Sequence, residues 1–404
     1  MALSSSERLR YQRQISLPEI GESGQLRLKA ARVLIIGVGG LGCPAALYLA
    51  AAGVGHLTLV DPDRVALSNL QRQILYGPAD LGQPKTTCAQ QRLQAQNPTV
   101  TIETHAIAAT SAHVSSWLAN HDLVIDGSDQ LPLRLALNAA CRAAQVPWVY
   151  GSVYRFEGQL ARFDPAGPCY RCLFPQPPAT VPDCNSAGVL GVLPGLIGTL
   201  QALEALKWLL GQRDPTGLLL VDGLALRFEN ITLSQDPNCP GCGPNAEAPP
   251  ALRPELLAAE LAQWRAHHPE ALCLDLRADQ SRPLPPLLQP ARPLTDLSAI
   301  DPEGRPLLLV CQRGQRARAA QEQLCQAGHQ AILLSGGLEA LAEFEQEKTS
   351  LQRLIADGPD ENPGSHSGYP VNHCHESPSE CHPHDYNNRP HEKPDERQRK
   401  VPED

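Results

Sequence analysis

Ala31-Arg-Val-Leu-Ile-Ile36 runs directly into Gly37-Val-Gly39-Gly40-Leu-Gly42, and that into an alanine-rich stretch ending at Ala52. The first segment is short, apolar and β-branched, which predicts a buried strand. The last has helical spacing. A G-x-G-x-x-G loop between strand and helix allows a tight turn and leaves the first N–H groups of the helix free to meet a phosphate. The same alternation continues outward. Strands are predicted over 56–60, 100–104, 123–125 and 146–150, with helices over 85–96 and 131–144, the former stopped by Asn97-Pro98. Alternating strands and helices make a mostly parallel α/β sheet covered on both faces.

Polar residues follow the strand ends. Asp61 lies 19 residues past Gly42 and suits ribose hydroxyls. Ser68-Asn69-Leu-Gln-Arg72-Gln comes next, then Gly-Gln-Pro-Lys85, then Asp126-Gly-Ser-Asp129-Gln130. Taken singly, Arg72 and Lys85 are ordinary solvated charges, Asp129 a turn residue, and the glycine loop a turn without ligand. In this order they fit a triphosphate, whose charge must be neutralised along its whole tail. Asp129 is placed to hold Mg²⁺ against phosphate oxygens. A dinucleotide site would leave Arg72 and Lys85 without a task, so an NAD-dependent oxidoreductase is the less favoured alternative.

Cys169-x-x-Cys172 and Cys239-x-x-Cys242 form two knuckles 66 residues apart, each presenting two thiolates at a spacing that fits tetrahedral Zn²⁺. Four thiolates leave no open coordination position, which makes the site structural. Redox disulfides are the alternative.

Residues 246–253 read as a linker, after which the pattern restarts. A helix is predicted over 254–267, strands over 272–276, 307–310 and 331–334, and a helix over 317–327. The proline-rich 281–305 reads as a surface loop. Cys311-Gln-Arg313-Gly-Gln-Arg316 joins strand to helix, so backbone N–H groups and a helix N-terminus point at one sulfur while two arginines add positive charge. Such a setting stabilises a thiolate or persulfide. Cys184 sits in the polar loop Pro182-Asp-Cys184-Asn-Ser and reads equally as an inert thiol.

Arg10-Tyr-x-Arg13-Gln-Ile, the glycine loop, Asp61, the SNLQRQ run, GQPK and Cys169-Tyr-Arg-Cys172 together resemble the MoeB/ThiF family over about residues 8–243. The resemblance implies a Rossmann-like, ubiquitin-activating-enzyme-like fold that binds ATP and Mg²⁺. It implies adenylation of the C-terminal glycine carboxylate of a ubiquitin-like sulfur carrier. It assigns the ribose to Asp61, the phosphates to Asn69, Arg72 and Lys85, and the metal to Asp129. Arg13 would reach the triphosphate of a partner subunit, implying a homodimer, and Cys184 would lie in a crossover loop near the adenylated carboxylate. The pattern departs at Gln130, where most members carry Asn. Asp275-Leu-Arg277, the Cys311 loop and Leu334-Ser-Gly336-Gly337-Leu resemble a rhodanese domain over about 254–346, with 254–348 taken as the domain. Sulfur transfer through a Cys311 persulfide is implied, supplied by a cysteine desulfurase or another donor; a rhodanese fold that has lost activity is the alternative. A molybdopterin-synthase carrier is favoured over a thiamine-pathway carrier.

Composition narrows the classes further. A chain of 404 residues is too long for one ordinary domain, so domains over 1–245 and 254–348 are expected. Its net charge of −9 argues against a broad nucleic-acid surface, and 13 cysteines fall well short of a disulfide scaffold. MALSSSERLR has no apolar signal-peptide core, and the longest apolar run, residues 187–200, is shorter than the ~20 residues that span a bilayer. A cytoplasmic protein is the expectation. Residues 357–404 carry eight prolines and 11 acidic against 5 basic residues, with almost no aliphatics, and read as disordered. Their His366, His373, Cys374, His375, Cys381, His382, His384 and His391 read either as a loose metal-binding set or as incidental. A non-catalytic scaffold or metal-handling protein is the remaining alternative.

Overall fold

The computed structural model describes residues 2–357 apart from 177–187, 215–216, 250–251, 253–254, 257, 282, 295–296 and 298–304. Cys184 and the histidine- and cysteine-bearing tail therefore lie outside the described residues.

The first sheet has eight strands: β1 (Arg32–Ile36), β2 (His56–Val60), β3 (Thr101–His105), β4 (Leu123–Asp126), β5 (Trp148–Tyr154), β6 (Glu157–Phe163), β7 (Leu218–Asp222) and β8 (Arg227–Ile231). Their spatial order is β3-β2-β1-β4-β5-β6-β7-β8. The pairs from β3 through β5 are parallel and those from β5 through β8 antiparallel. Because side chains alternate along a strand, β1 feeds two cores. Val33 and Ile35 pack with the helix Gly42–Ala52 and with Ala89 and Leu93 of Lys85–Gln96. Leu34 and Ile36 pack with Val114, Leu118, Leu133 and Leu137 on the other face. The strand order reverses between β1 and β4, and the crevice opens outside the carboxyl ends of those two strands, where such sheets bind ligands.

A second, all-parallel sheet follows: β9 (Glu255–Leu256), β10 (Leu272–Asp275), β11 (Ala291–Pro293), β12 (Leu307–Val310) and β13 (Ala331–Leu334), in the order β11-β10-β12-β13-β9. Both faces are covered, one by Leu261 and Leu341, the other by Ala317, Ala320 and Leu324.

Several elements differ from the sequence reading. The helix expected over 254–267 begins only at Leu261; Glu255–Leu256 is instead an edge strand, drawn into the sheet by pairing with β13. The expected surface loop 281–305 contributes the edge strand β11 and buries Leu284, Leu288 and Leu294, since the first two pack into the core on one face of the sheet and the third into the core on the other. The antiparallel strands β6, β7 and β8 were not predicted. The 246–253 linker is not free along its length: the Leu252 N–H donates to Ser111 Oγ at 2.9 Å. The apolar run 187–200 enters the helix Val192–Leu209, which buries Leu193, Ile197, Ala202 and Ala205 while exposing Val192 and Leu203. No helix among the described residues is long and apolar enough to cross a membrane.

Candidate functional site

The crevice at the end of the parallel strands holds about 270 Å³. Gly37, with φ of +89°, turns the chain out of β1. A Cβ there would lie 2.6 Å from the Gly127 carbonyl carbon, so the loops leaving β1 and β4 can meet only without a side chain. Gly39 and Gly40 line the crevice, whereas Gly42 does not. A Cβ on Gly42 would sit 1.9 Å from the Gly37 oxygen, which gives that glycine a packing role.

Asp61 follows β2 directly and is 5% exposed. It accepts the Val38 N–H at 2.7 Å on one oxygen and the Asp63 N–H at 2.9 Å on the other, which ties it to the glycine loop. Burial raises its pKa, with the Lys85 ammonium opposing that rise. Lys85 is 4% exposed at the start of its helix and donates from Nζ to Asp63 Oδ2 at 2.7 Å. Burial pulls its pKa down, but the Asp61 and Asp63 carboxylates outweigh burial and hold the ammonium charged. Asn69 caps a short turn by accepting the Ala66 N–H, and Arg72 donates from Nη1 to the Ser68 carbonyl at 2.9 Å. Asn69 and Arg72 line the crevice; Ser68 does not.

Asp129 and Gln130 are exposed and line the crevice from the loop that leaves β4. Their loop is held from beneath. The Ser128 N–H and hydroxyl donate to Asp126 Oδ1 at 3.0 and 2.6 Å, and Arg134 Nε donates to Asp126 Oδ2 at 3.0 Å. Arg134 Nη2 also reaches the carbonyls of Ser128 and Gly151. Burial raises the Asp126 pKa and Arg134 counters it; the hydrogen bonds of the pair to Ser128 hold the start of the Asp129 loop.

Gly37, Gly39, Gly40, Asp61, Asn69, Arg72, Lys85, Asp129 and Gln130 therefore share one crevice, while Arg13 is exposed and lies outside it. Sequence reasoning missed Asp63, Gln73 and Arg134. Asp63 follows Asp61 closely enough that its N–H bonds the Asp61 carboxylate in a local turn. It also missed Glu255, Arg318 and Ser335 of the second sheet's module, which line the crevice as well.

The four cysteines of the two knuckles have sulfurs within 4.8 Å of one another. Cys169 and Cys239 are 3.6 Å apart, Cys172 and Cys242 3.5 Å, and Cys169 and Cys172 3.9 Å. A tetrahedral ion with Zn–S of ~2.3 Å separates its sulfurs by ~3.8 Å, whereas a disulfide needs ~2.05 Å. The donor set fits zinc, and the Gly241 N–H donates to Cys239 Sγ at 3.3 Å as a further anchor.

Cys311 is buried at the end of β12 and accepts the Ala317 N–H on its sulfur at 3.4 Å, within the first turn of the helix Gln315–Gln326. Arg313, expected to add charge there, is engaged by Glu339 at 3.0 Å. The Cys311 and Gln312 carbonyls accept the N–H groups of Leu338 and Glu339, which closes the loop onto the turn after β13.

Residues 11–241 match the model of the ThiF family, and residues 259–343 match that of the rhodanese-like domain. A sulfur carrier protein adenylyltransferase of Thermus thermophilus is 47% identical over 253 residues, covering 60% of this chain and 93% of that protein. A probable adenylyltransferase/sulfurtransferase, MoeZ of Mycobacterium tuberculosis, is 35% identical over 377 residues, covering 85% and 95%. Among solved structures, E. coli MccB crystallised with ATP has a TM-score of 0.51 at 21% identity, covering 59% of this chain and 75% of that one, and so shares the fold. With 231 of its residues under one family model and a relative alike over most of both lengths, the chain belongs to the ThiF family and carries a rhodanese-like domain behind the family's own.

Proposed function

We propose that the chain adenylates the C-terminal glycine carboxylate of a ubiquitin-like sulfur carrier protein with ATP, then delivers sulfur to it from Cys311. The observation that carries this reading is one crevice lined by the glycine loop, Asp61, Arg72, Lys85 and Asp129 and also by three residues of the rhodanese-like module.

In the first step the carrier carboxylate attacks the α-phosphorus of ATP, the bond to the β-phosphate oxygen breaks, and pyrophosphate leaves. Asp61 holds the ribose, Asn69, Arg72 and Lys85 hold the phosphates, and Lys85 arrives fixed and charged, so it offsets developing charge without reorganising. Asp129 would hold Mg²⁺, which supplies charge neutralisation at the phosphates. The exposed Arg13 would serve the crevice of a second copy in a homodimer. Phe156, Leu224, Leu226 and Phe228 leave an apolar strip exposed around β5–β8, which suits a protein partner.

In the second step the terminal sulfur of a Cys311 persulfide attacks the acyl-adenylate carbonyl and AMP leaves. The resulting acyl disulfide is cleaved by a thiol, a role for Cys184. Its sulfur bonds to Cys311 Sγ and the carrier departs as a thiocarboxylate. A molybdopterin-synthase carrier is the favoured substrate, with a cysteine desulfurase or another persulfide source as donor. Zinc on Cys169, Cys172, Cys239 and Cys242 would tie segments 66 residues apart and take no part in the chemistry.

Carrier-dependent exchange of labelled pyrophosphate into ATP tests the first step; absence of exchange with every sulfur carrier of the same organism overturns it. Cys311→Ser should retain exchange and lose thiocarboxylate, read by intact mass. Presenting molybdopterin-synthase and thiamine-pathway carriers side by side decides between them.

A further inference from the structure

Part of the crevice lining comes from the rhodanese-like module. Leu252, held to Ser111 at the start of the helix Ser111–Leu118, lies three residues before β9 and fixes where that module begins. From there Glu255, Arg318 and Ser335 face the crevice. Arg318 Nη1 forms an ion pair with Glu255, and Ser335 Oγ donates to the other Glu255 oxygen at 2.7 Å. The Glu255 side chain is 10% exposed while that of Arg318 is 45% exposed, so the guanidinium is the part open to a ligand.

The charge balance around the crevice is uneven. Asp61, Asp63, Asp129 and Glu255 oppose Arg72, Lys85 and Arg318. Lys85 is buried and already in place in the crevice lining, so it cannot travel along the phosphate tail. A nucleoside triphosphate adds several negative charges to a site with more carboxylates than cations, so any cation able to change partner is drawn to it. Arg318 meets that condition. It is also joined to the cysteine loop through the chain: the N–H of its neighbour Ala317 donates to Cys311 Sγ, and Ser335 precedes Gly336, whose nitrogen a Cβ on Gly314 of that loop would meet at 3.2 Å.

We propose that Arg318 is a nucleotide-binding residue supplied by the rhodanese-like module: it leaves Glu255 for the terminal phosphates of a bound nucleoside triphosphate, and so couples occupancy of the crevice to the seating of the Cys311 loop against it. Departure of pyrophosphate returns Arg318 to Glu255, the arrangement described above. The inference rests on the ATP reading.

The test is equilibrium binding of α,β-methylene-ATP with Mg²⁺, and of AMP, to the full chain and its variants. Arg318→Ala should weaken the triphosphate analogue by about tenfold and leave AMP within about twofold, because AMP lacks the phosphates that Arg318 reaches. Arg318→Lys should restore most of the loss. Glu255→Gln should tighten the analogue by about threefold, since it removes the competing carboxylate. Equal binding by Arg318→Ala and wild type overturns the proposal, as does an equal loss for AMP. A loss in Glu255→Gln matching that in Arg318→Ala also overturns it, since the pair would then be structural only. A wild-type chain that fails to bind the analogue overturns the ATP reading along with it.

Discussion

Lys85 Nζ lies 2.7 Å from Asp63 Oδ2 in the crevice wall, a buried ammonium held by a carboxylate that is itself about half exposed. The pair is asymmetric: the lysine cannot leave, while the aspartate can be displaced by a phosphate. Lys85→Ala should lower pyrophosphate exchange by at least about 100-fold, the scale of removing a preorganised charge from a transition state. It should also lower the melting temperature, because Asp61 and Asp63 would face each other uncompensated. Exchange within threefold of wild type would count against the role given to Lys85.

The glycines of the loop separate by what a side chain would meet. A Cβ on Gly39 finds nothing closer than Gln73 Nε2 at 3.6 Å, while one on Gly42 strikes the Gly37 oxygen. Gly39→Ala should therefore keep the wild-type urea midpoint and weaken ATP binding by roughly tenfold, because the methyl group occupies space a phosphate needs. Gly42→Ala should destabilise the fold by about 2–4 kcal/mol. Equal loss of stability in the two variants, read by urea denaturation, would contradict the assignment.

The cysteine cluster makes a measurement without enzymology possible. Purified protein should contain about one zinc per chain by elemental analysis. A double Cys172→Ser, Cys242→Ser variant should lose the metal and melt at a lower temperature, with faster proteolysis around residues 169–173 and 239–243. Full zinc content in that variant would refute the site.

Acid stability should depend on Glu7. Its carboxylate takes Lys29 Nζ at 2.7 Å and the Ser4 N–H at 2.8 Å, and these contacts, Lys29 first, hold its pKa down to about 2. The unfolded value is ~4.3. A depressed folded pKa stabilises the native state fully above the unfolded value and progressively less as pH falls toward the folded one. Glu7→Gln should show a lower urea midpoint than wild type at pH 7, with the gap narrowing from pH 4.5 toward 2. A gap of constant size from pH 7 to pH 3 would rule out this linkage.

Much of the first sheet was legible because strong local patterns agree with the tertiary context. Ile35 and Ile36 before Gly37, and Asn97-Pro98 after Gln96, mark boundaries through backbone sterics alone, which need no distant partner. The cysteine knuckles were legible for the same reason, since two thiolates three residues apart can point at one ion wherever the chain goes. Strand β8 was not, because all five of its residues are exposed and its apolar side chains, Phe228 and Ile231, show no buried face to read. Strand β11 was hidden by prolines, which an edge strand tolerates.

What the amino-acid order determined by itself is the chemistry on offer: a glycine loop for phosphate, carboxylates and cations at strand ends, four thiolates for a metal, and one cysteine at a strand-to-helix turn. Only the tertiary structure decided that Glu255, Arg318 and Ser335 share a crevice with Gly39 and Lys85, more than 160 residues earlier in the chain. Local sequence encodes turns and periodicity, which act over a few residues. Which two surfaces meet is set by burial summed over whole sheets, and no short pattern carries that sum.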